Sequence, residues 1–284
     1  MQQRALSAAV FVPPLVIVLL LGGPWLTGLV LVATGLAALE ALRLIRAAGY
    51  PVLVALGVVV AVSIVVDAAA PVDLTGSAAV LVAVAVILAA VGGFARPDPR
   101  EGLAAWIGTV LGGAYVGMLS FVIRLAAAAP ALPHDAPIGA TLDGPRAWVL
   151  ILVLAVWAYD TGAYLIGRSF GERFGAATGL FRFLTHISPS KTYAGLFGGL
   201  AATTVVLVVG LWAVGGPAWQ GLLVGPLVGL AAQAGDLAES MLKRAAGAKD
   251  SSQLIPGHGG VLDRVDSFLF AAPVLTLYVL AVVR

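Results

Sequence analysis

Long apolar runs separated by short polar turns organise this chain. They cover roughly residues 5–21, 24–42, 51–69, 76–95, 103–129, 146–167, 192–214, 217–235 and 265–283. A helix needs about 20 apolar residues to cross the hydrocarbon core of a bilayer. A helix apolar on every side also needs lipid or protein on every side. The pattern predicts an all-α, polytopic integral membrane protein with about nine transmembrane helices. The first run follows Arg4, as a signal peptide would, but Leu21-Gly22-Gly23-Pro24-Trp25 offers no small-x-small cleavage site. It is expected to be a retained anchor.

Composition supports this picture. Apolar residues make up 61% of the 284 residues and charged residues 11%. A soluble domain carries about 25% charged residues, so an ordinary water-soluble fold and a disordered chain are both excluded. The absence of Cys excludes a disulfide scaffold and a thiolate-ligated metal. A net charge of +2 gives no reason to expect a nucleic-acid partner. With the N-terminus inside, 13 of the 16 Lys and Arg residues fall on the inner side, leaving Arg124, Arg146 and Arg284 outside. By the positive-inside rule the N-terminus is inside and the C-terminus outside. The expected location is the cell's inner (plasma) membrane, multi-pass, with the bilayer lipid as an obligatory partner.

The two halves differ. Residues 1–130 are rich in Ala, Val and Leu, carry their charges mainly in turns and read as a transmembrane scaffold. Residues 131–145 read as an outer connection. Residues 131–284 carry three polar clusters on the inner side and read as the catalytic region with its loops.

The first cluster is Asp160-Thr161-Gly162-Ala163-Tyr164, followed by Gly167-Arg168. A carboxylate at mid-depth in a spanning helix costs about 2.5–3.5 kcal/mol, so it faces a partner or a cavity. Pairing with Arg168 and a place in a site are both open. The second cluster is Ser188-Pro189-Ser190-Lys191-Thr192. Ser188 is expected to cap a helix with Pro189 at its first position, and such an N-terminus beside a Lys suits a phosphate. The stretch before it, from Phe170 to Leu184, mixes Phe with Arg and reads as a segment lying in the head-group layer. The third cluster runs from Asp236 to Ser267. Asp236, Glu239, Ser240 and Lys243 share one helix face, as do Asp263, Asp266 and Ser267 near the start of the last span. A loop with Gly257, His258, Gly259 and Gly260 joins them. A solvated loop does not explain why five of the 14 acids gather here.

Any metal at such a site takes oxygen ligands, which selects Mg²⁺ or Mn²⁺ over Zn²⁺. Neighbouring Lys and Arg residues supply charge for phosphates, and Gly-rich backbone can turn N–H groups toward an anion. This set suits phosphoryl or nucleotidyl transfer. No nucleophile elbow points to a Ser hydrolase.

Ser240-Met241-Leu242-Lys243-Arg244, Lys249-Asp250 and Pro256-Gly257-His258-Gly259-Gly260-Val261-Leu262-Asp263-Arg264-Val265-Asp266 together resemble the 27-residue signature of the phosphatidate cytidylyltransferases, or CDP-diacylglycerol synthases. The Asp160 and Ser188 clusters resemble two further motifs of that family. Ser190 and Ala194 depart from it, standing where many members have Lys and Glu. The resemblance implies a membrane nucleotidyltransferase of phospholipid biosynthesis. It would join CTP to phosphatidate, giving CDP-diacylglycerol and pyrophosphate, with Mg²⁺ as cofactor and the active site facing the cytoplasm. It places the metal on Asp236 and Asp263. Catalytic roles then fall on Asp236, Asp263, Lys243, Lys249, Arg264, Asp266 and His258. Substrate binding falls on Ser188, Lys191, Thr192, Arg244, Gly257, Gly259, Gly260, Asp160 and Arg168. A homodimer is left open. The alternatives are a related CTP-dependent enzyme acting on another lipid phosphate or a lipid alcohol, and a transporter. The transporter would need charges spread through the midplane and paired broken helices in two repeats; neither is evident.

Overall fold

The computed structural model describes residues 13–70, 77–255, 257 and 259–283. The start of the expected span 5–21, with Arg4, lies outside the described residues, as do Pro256, His258 and Arg284. The described residues are helical apart from short connections and two isolated antiparallel bridges, Arg182 with Thr192 and Ile255 with Gly259.

The chain forms two compact units. The first comprises Met1–Arg124 and Glu239–Leu269. In it, α1 (Gly23–Ala47), α2 (Val54–Ala69), α3 (Ser77–Phe94) and α4 (Pro99–Gly117) pack side by side. Asp98 caps α4 by accepting from the Arg100 N–H at 2.8 Å, and Pro99 opens the helix, where its missing N–H costs nothing. Ala37, Ala38, Ala41 and Leu42 of α1 are fully buried, as are Ala61 and Val65 of α2 and Ala105 and Val116 of α4. Polar backbone in this apolar setting is satisfied by side chains. The Leu53 N–H donates to Thr109 Oγ1 at 2.8 Å, and the Thr109 hydroxyl donates to the Ala105 carbonyl.

The second unit comprises Leu125–Ala238 and Phe270–Arg284. Its main contact is between α6 (Gly144–Thr178) and α7 (Tyr193–Ala213). Here Gly162 and Gly198 lie backbone to backbone: a Cβ on Gly162 would meet the Gly198 carbonyl oxygen at 2.7 Å. Small residues let helices approach closely in lipid, where close packing stands in for the hydrophobic drive that joins helices in water. Trp148 and Tyr159 of α6 are buried, and the Tyr159 hydroxyl donates to Gln233 Oε1 at 2.8 Å.

The remaining helices are α5 (Ser120–Ala128), α8 (Gly221–Ala245) and α9 (Leu262–Tyr278), the last continuing as a π-helical turn, Val279–Val283. Among the described residues six helices are long and apolar enough to cross a membrane: Gly23–Ala47, Pro99–Ala128, Gly144–Thr178, Tyr193–Ala213, Ala218–Ala245 and Leu262–Val283. Val54–Ala69 and Ala79–Phe94 are apolar but shorter. Large apolar side chains stay exposed along these helices, among them Val32, Leu111, Leu227 and Leu277. On a soluble protein such surface would be an interface; here it is lipid-facing. The chain is an all-α, multi-pass membrane protein.

Two local expectations are corrected. The segment after Arg168 does not begin a separate interfacial element, because α6 runs unbroken to Thr178 and ends at Gly179, whose φ is +70°. No residue before Gly179 breaks the helix, so its 35 residues span about 52 Å, well beyond a hydrocarbon core of about 30 Å. The helix after the Ser188 cluster starts at Tyr193, not at Pro189. Residues 185–190 form turns, and Thr192 is the cap, accepting from the Gly195 N–H at 3.0 Å.

Candidate functional site

The last turns of α8 present Glu239 and Lys243 four residues apart, hence on one face. After a turn at Ala246–Gly247 the chain leads to α9, with Asp263 in its first turn. All of this belongs to the first unit. Lys243 forms ion pairs with Glu239 and with Asp263, the latter at 2.6 Å. The side chains of Glu239, Asp263 and Lys243 are 1%, 7% and 13% exposed, so these charges interact with little screening.

Asp263 is held from every side. Its Oδ1 accepts from Lys243. Its Oδ2 accepts from the Ser251 N–H at 2.9 Å, the Ser251 hydroxyl at 2.6 Å and the Gly260 N–H at 2.8 Å. Gly259 and Gly257 adopt φ of +78° and +75°, which glycine reaches without strain. This lets the loop fold back, with the Ile255 N–H donating to the Gly259 carbonyl at 2.9 Å.

Glu239 carries the opposite signature. Lys243 is its ion partner, yet its Oε1 is buried without any hydrogen-bond donor. Glu239 and Asp266 each offer a carboxylate oxygen, and the two lie within 4.8 Å of one another. A buried carboxylate oxygen without a donor, beside a second carboxylate, belongs to a hard-oxygen group that could hold a divalent cation. Asp236 lies one turn before Glu239 on the same helix.

In the second unit Lys191 pairs with Asp236, both half-buried. Lys191 directly precedes the Thr192 cap of α7, so its position is fixed by the helix start. The Tyr193 N–H also donates to the Phe181 carbonyl at 3.3 Å. Ser188 is buried in the preceding turn. Asp160 sits within α6 on an exposed position. Arg168 donates instead to the Tyr164 hydroxyl, at 2.7 Å.

The comparisons with known proteins decide what this arrangement belongs to. The family model described as "Cytidylyltransferase family" matches residues 2–282. The chain belongs to that family. Family relatives named phosphatidate cytidylyltransferase include one from Synechocystis sp., 44% identical over 136 residues, which are 46% of this chain and 43% of that protein. Another, from Staphylococcus haemolyticus, is 42% identical over 132 residues, 46% of this chain and 48% of that protein. A third, from Staphylococcus aureus, is 41% identical over the same length and shares. The chain spans about half the length of the curated relatives it matches.

Of the family-type residues expected from the sequence, Lys243, Asp263 and Asp266 come together in the first unit with Glu239, and Lys191 pairs with Asp236 in the second, with Thr192 following it as the cap of α7. Arg244, Lys249, Arg264 and Gly257 lie exposed around the first group. The N–H groups of Gly260, Val261 and Leu262 are taken by carboxylates: Gly260 by Asp263, the other two by Glu40. Glu40 of α1 is the residue that sequence reasoning missed. It stands in an apolar span three residues before Arg43, and nothing nearby marks it. The one available signal is a single acid among the apolar residues of a span.

Proposed function

We propose that this protein is a phosphatidate cytidylyltransferase, transferring the cytidylyl group of CTP to phosphatidate and releasing pyrophosphate. The observation that carries the reading is the signature stretch Ser240–Asp266, folded into a buried carboxylate–lysine group where two spanning helices end, in a chain of the cytidylyltransferase family. The relatives' names support the choice of phosphatidate as the lipid.

The chemistry follows from charge. A phosphate monoester has its second pKa near 6, so the lipid phosphate is largely a dianion at neutral pH and needs no strong general base. One of its oxygens attacks the α-phosphorus of CTP. The new P–O bond forms as the bond to the pyrophosphate oxygen breaks, and pyrophosphate leaves with that electron pair. The difficulty is anion meeting anion. Lys243, already fixed by acids, supplies positive charge without further ordering; Lys191, held by Asp236 in the second unit, is the substrate-binding lysine that the resemblance implies. Exposed Arg244, Lys249 and Arg264 neutralise the phosphates from the aqueous side. Glu239 and Asp266 fit a divalent cation, with Asp236 and Asp263 the acids that the resemblance implies. Mg²⁺ is the ion such oxygen donors favour, and when bound it screens the phosphate oxygens. Asp263 holds Lys243 in place.

The proposed setting is the cell's inner membrane with these loops on the cytoplasmic side, where CTP is available. Purified protein incubated with labelled CTP and a panel of lipids tests the reading. Labelled CDP-diacylglycerol and one equivalent of pyrophosphate are expected with phosphatidate. Transfer only to another lipid phosphate, or phosphorylation of a lipid alcohol, would replace it with the related reaction.

A further inference from the structure

Glu40 is 5% exposed, deep among the apolar residues of α1. A carboxylate in a spanning helix is costly and is kept where it serves a purpose. Its partners are hydroxyl and N–H groups. Oε1 accepts from the Ser252 hydroxyl at 2.6 Å and the Val261 N–H at 3.1 Å. Oε2 accepts from the Leu262 N–H at 2.7 Å and lies 3.1 Å from the Ser251 hydroxyl. A helix start leaves its first N–H groups without intrahelical partners, and Val261, just before α9, has no side-chain oxygen to cap them. Glu40 therefore caps α9 from 222 residues away in sequence. Together with Asp263 it takes three successive N–H groups, Gly260 to Leu262. The fit leaves no room at Gly260: a Cβ there would collide with Ser251 Oγ and Glu40 Oε2.

The two carboxylates are also joined through Ser251. Its hydroxyl has one hydrogen, shared between Asp263 Oδ2 at 2.6 Å and Glu40 Oε2 at 3.1 Å. Two of the three donors on that Oδ2 belong to Ser251, and the third is the Gly260 N–H. All three come from the segment that Glu40 clamps. The geometry points to Glu40 as a positioning residue for the transfer reaction: it fixes Ser251, Ser252 and the backbone at Val261 and Leu262, and thereby the orientation of the Asp263 carboxylate that holds Lys243. This rests on the functional reading above. Glu40 touches no substrate; it acts through the loop.

Residue-resolved amide exchange and steady-state kinetics of the intact protein test the idea, using Glu40→Gln and Ser252→Ala. Glu40→Gln keeps the shape but turns an NH₂ toward one set of donors. Small misplacements far from the reacting atoms cost on the order of 10²-fold in rate, so kcat should fall by about that factor. The KM for each substrate should stay within about threefold, because the substrate contacts remain. The decisive amides are Ser251 and Gly260, which are bonded to Asp263 and not to Glu40; they should exchange at least about tenfold faster if the clamp transmits. Ser252→Ala removes one hydroxyl and no charge. It should lower kcat about fivefold, the equivalent of one net hydrogen bond, and speed the same amides less. Wild-type exchange at Ser251 and Gly260 in Glu40→Gln would overturn the proposal, as would a raised KM with unchanged kcat. Should Glu40→Gln fail to fold, Ser252→Ala decides by the same two readouts. If the unmutated protein makes no CDP-diacylglycerol, the functional reading fails, and the exchange data alone still decide whether Glu40 sets Asp263.

Discussion

Asp263 and Lys191 both pair an acid with a lysine, but they differ in what a substitution leaves behind. Asp263 has both oxygens engaged, one by Lys243 and one by three donors of the loop. In Asp263→Asn the remaining oxygen must serve the three loop donors, so the NH₂ group turns toward Lys243. Breaking one side of a buried pair costs about 3 kcal/mol, here eased by the Glu239 partner that Lys243 retains. We expect the variant to insert and fold, and to lose CDP-diacylglycerol formation by a factor on the order of 10³, comparable to removing a charge-stabilising group from an active site. Near-normal turnover in saturating Mg²⁺, measured by transfer of labelled CTP, would remove Asp263 from the mechanism. Lys191→Ala should be milder. It loses a cation that meets ground state and transition state alike, so the KM should rise about tenfold with kcat changed less. A drop confined to kcat would instead assign Lys191 to the transition state. These residues were legible in the sequence because each sits in a dense polar cluster. Glu40 was not, because its four partners lie more than 200 residues away and a lone acid near Arg43 reads as the end of a span.

At the scale of elements, apolar runs placed most helices within a few residues, since lipid demands an unbroken hydrogen-bonded backbone. The run 24–42 became Gly23–Ala47, and the run 265–283 became a helix that begins at Leu262. The errors arose where chemistry other than hydropathy sets the boundary. Polar residues after Arg168 look like an end, but no proline interrupts the helix, and α6 stops only at the left-handed Gly179. Pro189 looks like a helix start, but it lies in a turn, and the bridge between Arg182 and Thr192 delays the helix to Tyr193. The α6–α7 contact depends on a feature that hydropathy cannot weigh, the facing of Gly162 and Gly198. Adding Cβ atoms would force backbones apart: on Gly198 it would meet the Gly162 carbonyl oxygen at 2.8 Å and crowd Ile166. Gly198→Ala should destabilise the protein by about 1–3 kcal/mol, the usual cost of overpacking. Thermal unfolding in detergent, followed by helical circular dichroism, measures this. A midpoint equal to that of the unmutated protein would mean that the two helices can separate without loss.

Across the whole molecule, the sparse charges carry the orientation. The expected inner set holds 13 of the 16 Lys and Arg residues, and it includes every cation of the two lysine–carboxylate groups. On that expectation the signature loop lies on the inner face of the membrane. A charge bias sets the face because Lys and Arg near a span resist translocation. CTP is a soluble, highly charged nucleotide that does not cross lipid, so the proposed reaction needs that face to be cytoplasmic. The chain has no Cys, which makes a single introduced thiol an unambiguous reporter. Gln253 is the position to use: its side chain is exposed, while its neighbours Ser251 and Ser252 are tied to Asp263 and Glu40. A Gln253→Cys protein should resist a membrane-impermeant maleimide in intact cells and react fully in inverted vesicles. A Cys in the outer connection, at exposed Asp135, should show the reverse. If Gln253→Cys is labelled from outside intact cells, the orientation is inverted and the proposed use of cytosolic CTP fails with it. If both positions are labelled from the same side, the number of spans between them is even rather than odd, and the count between residues 135 and 253 must change by one.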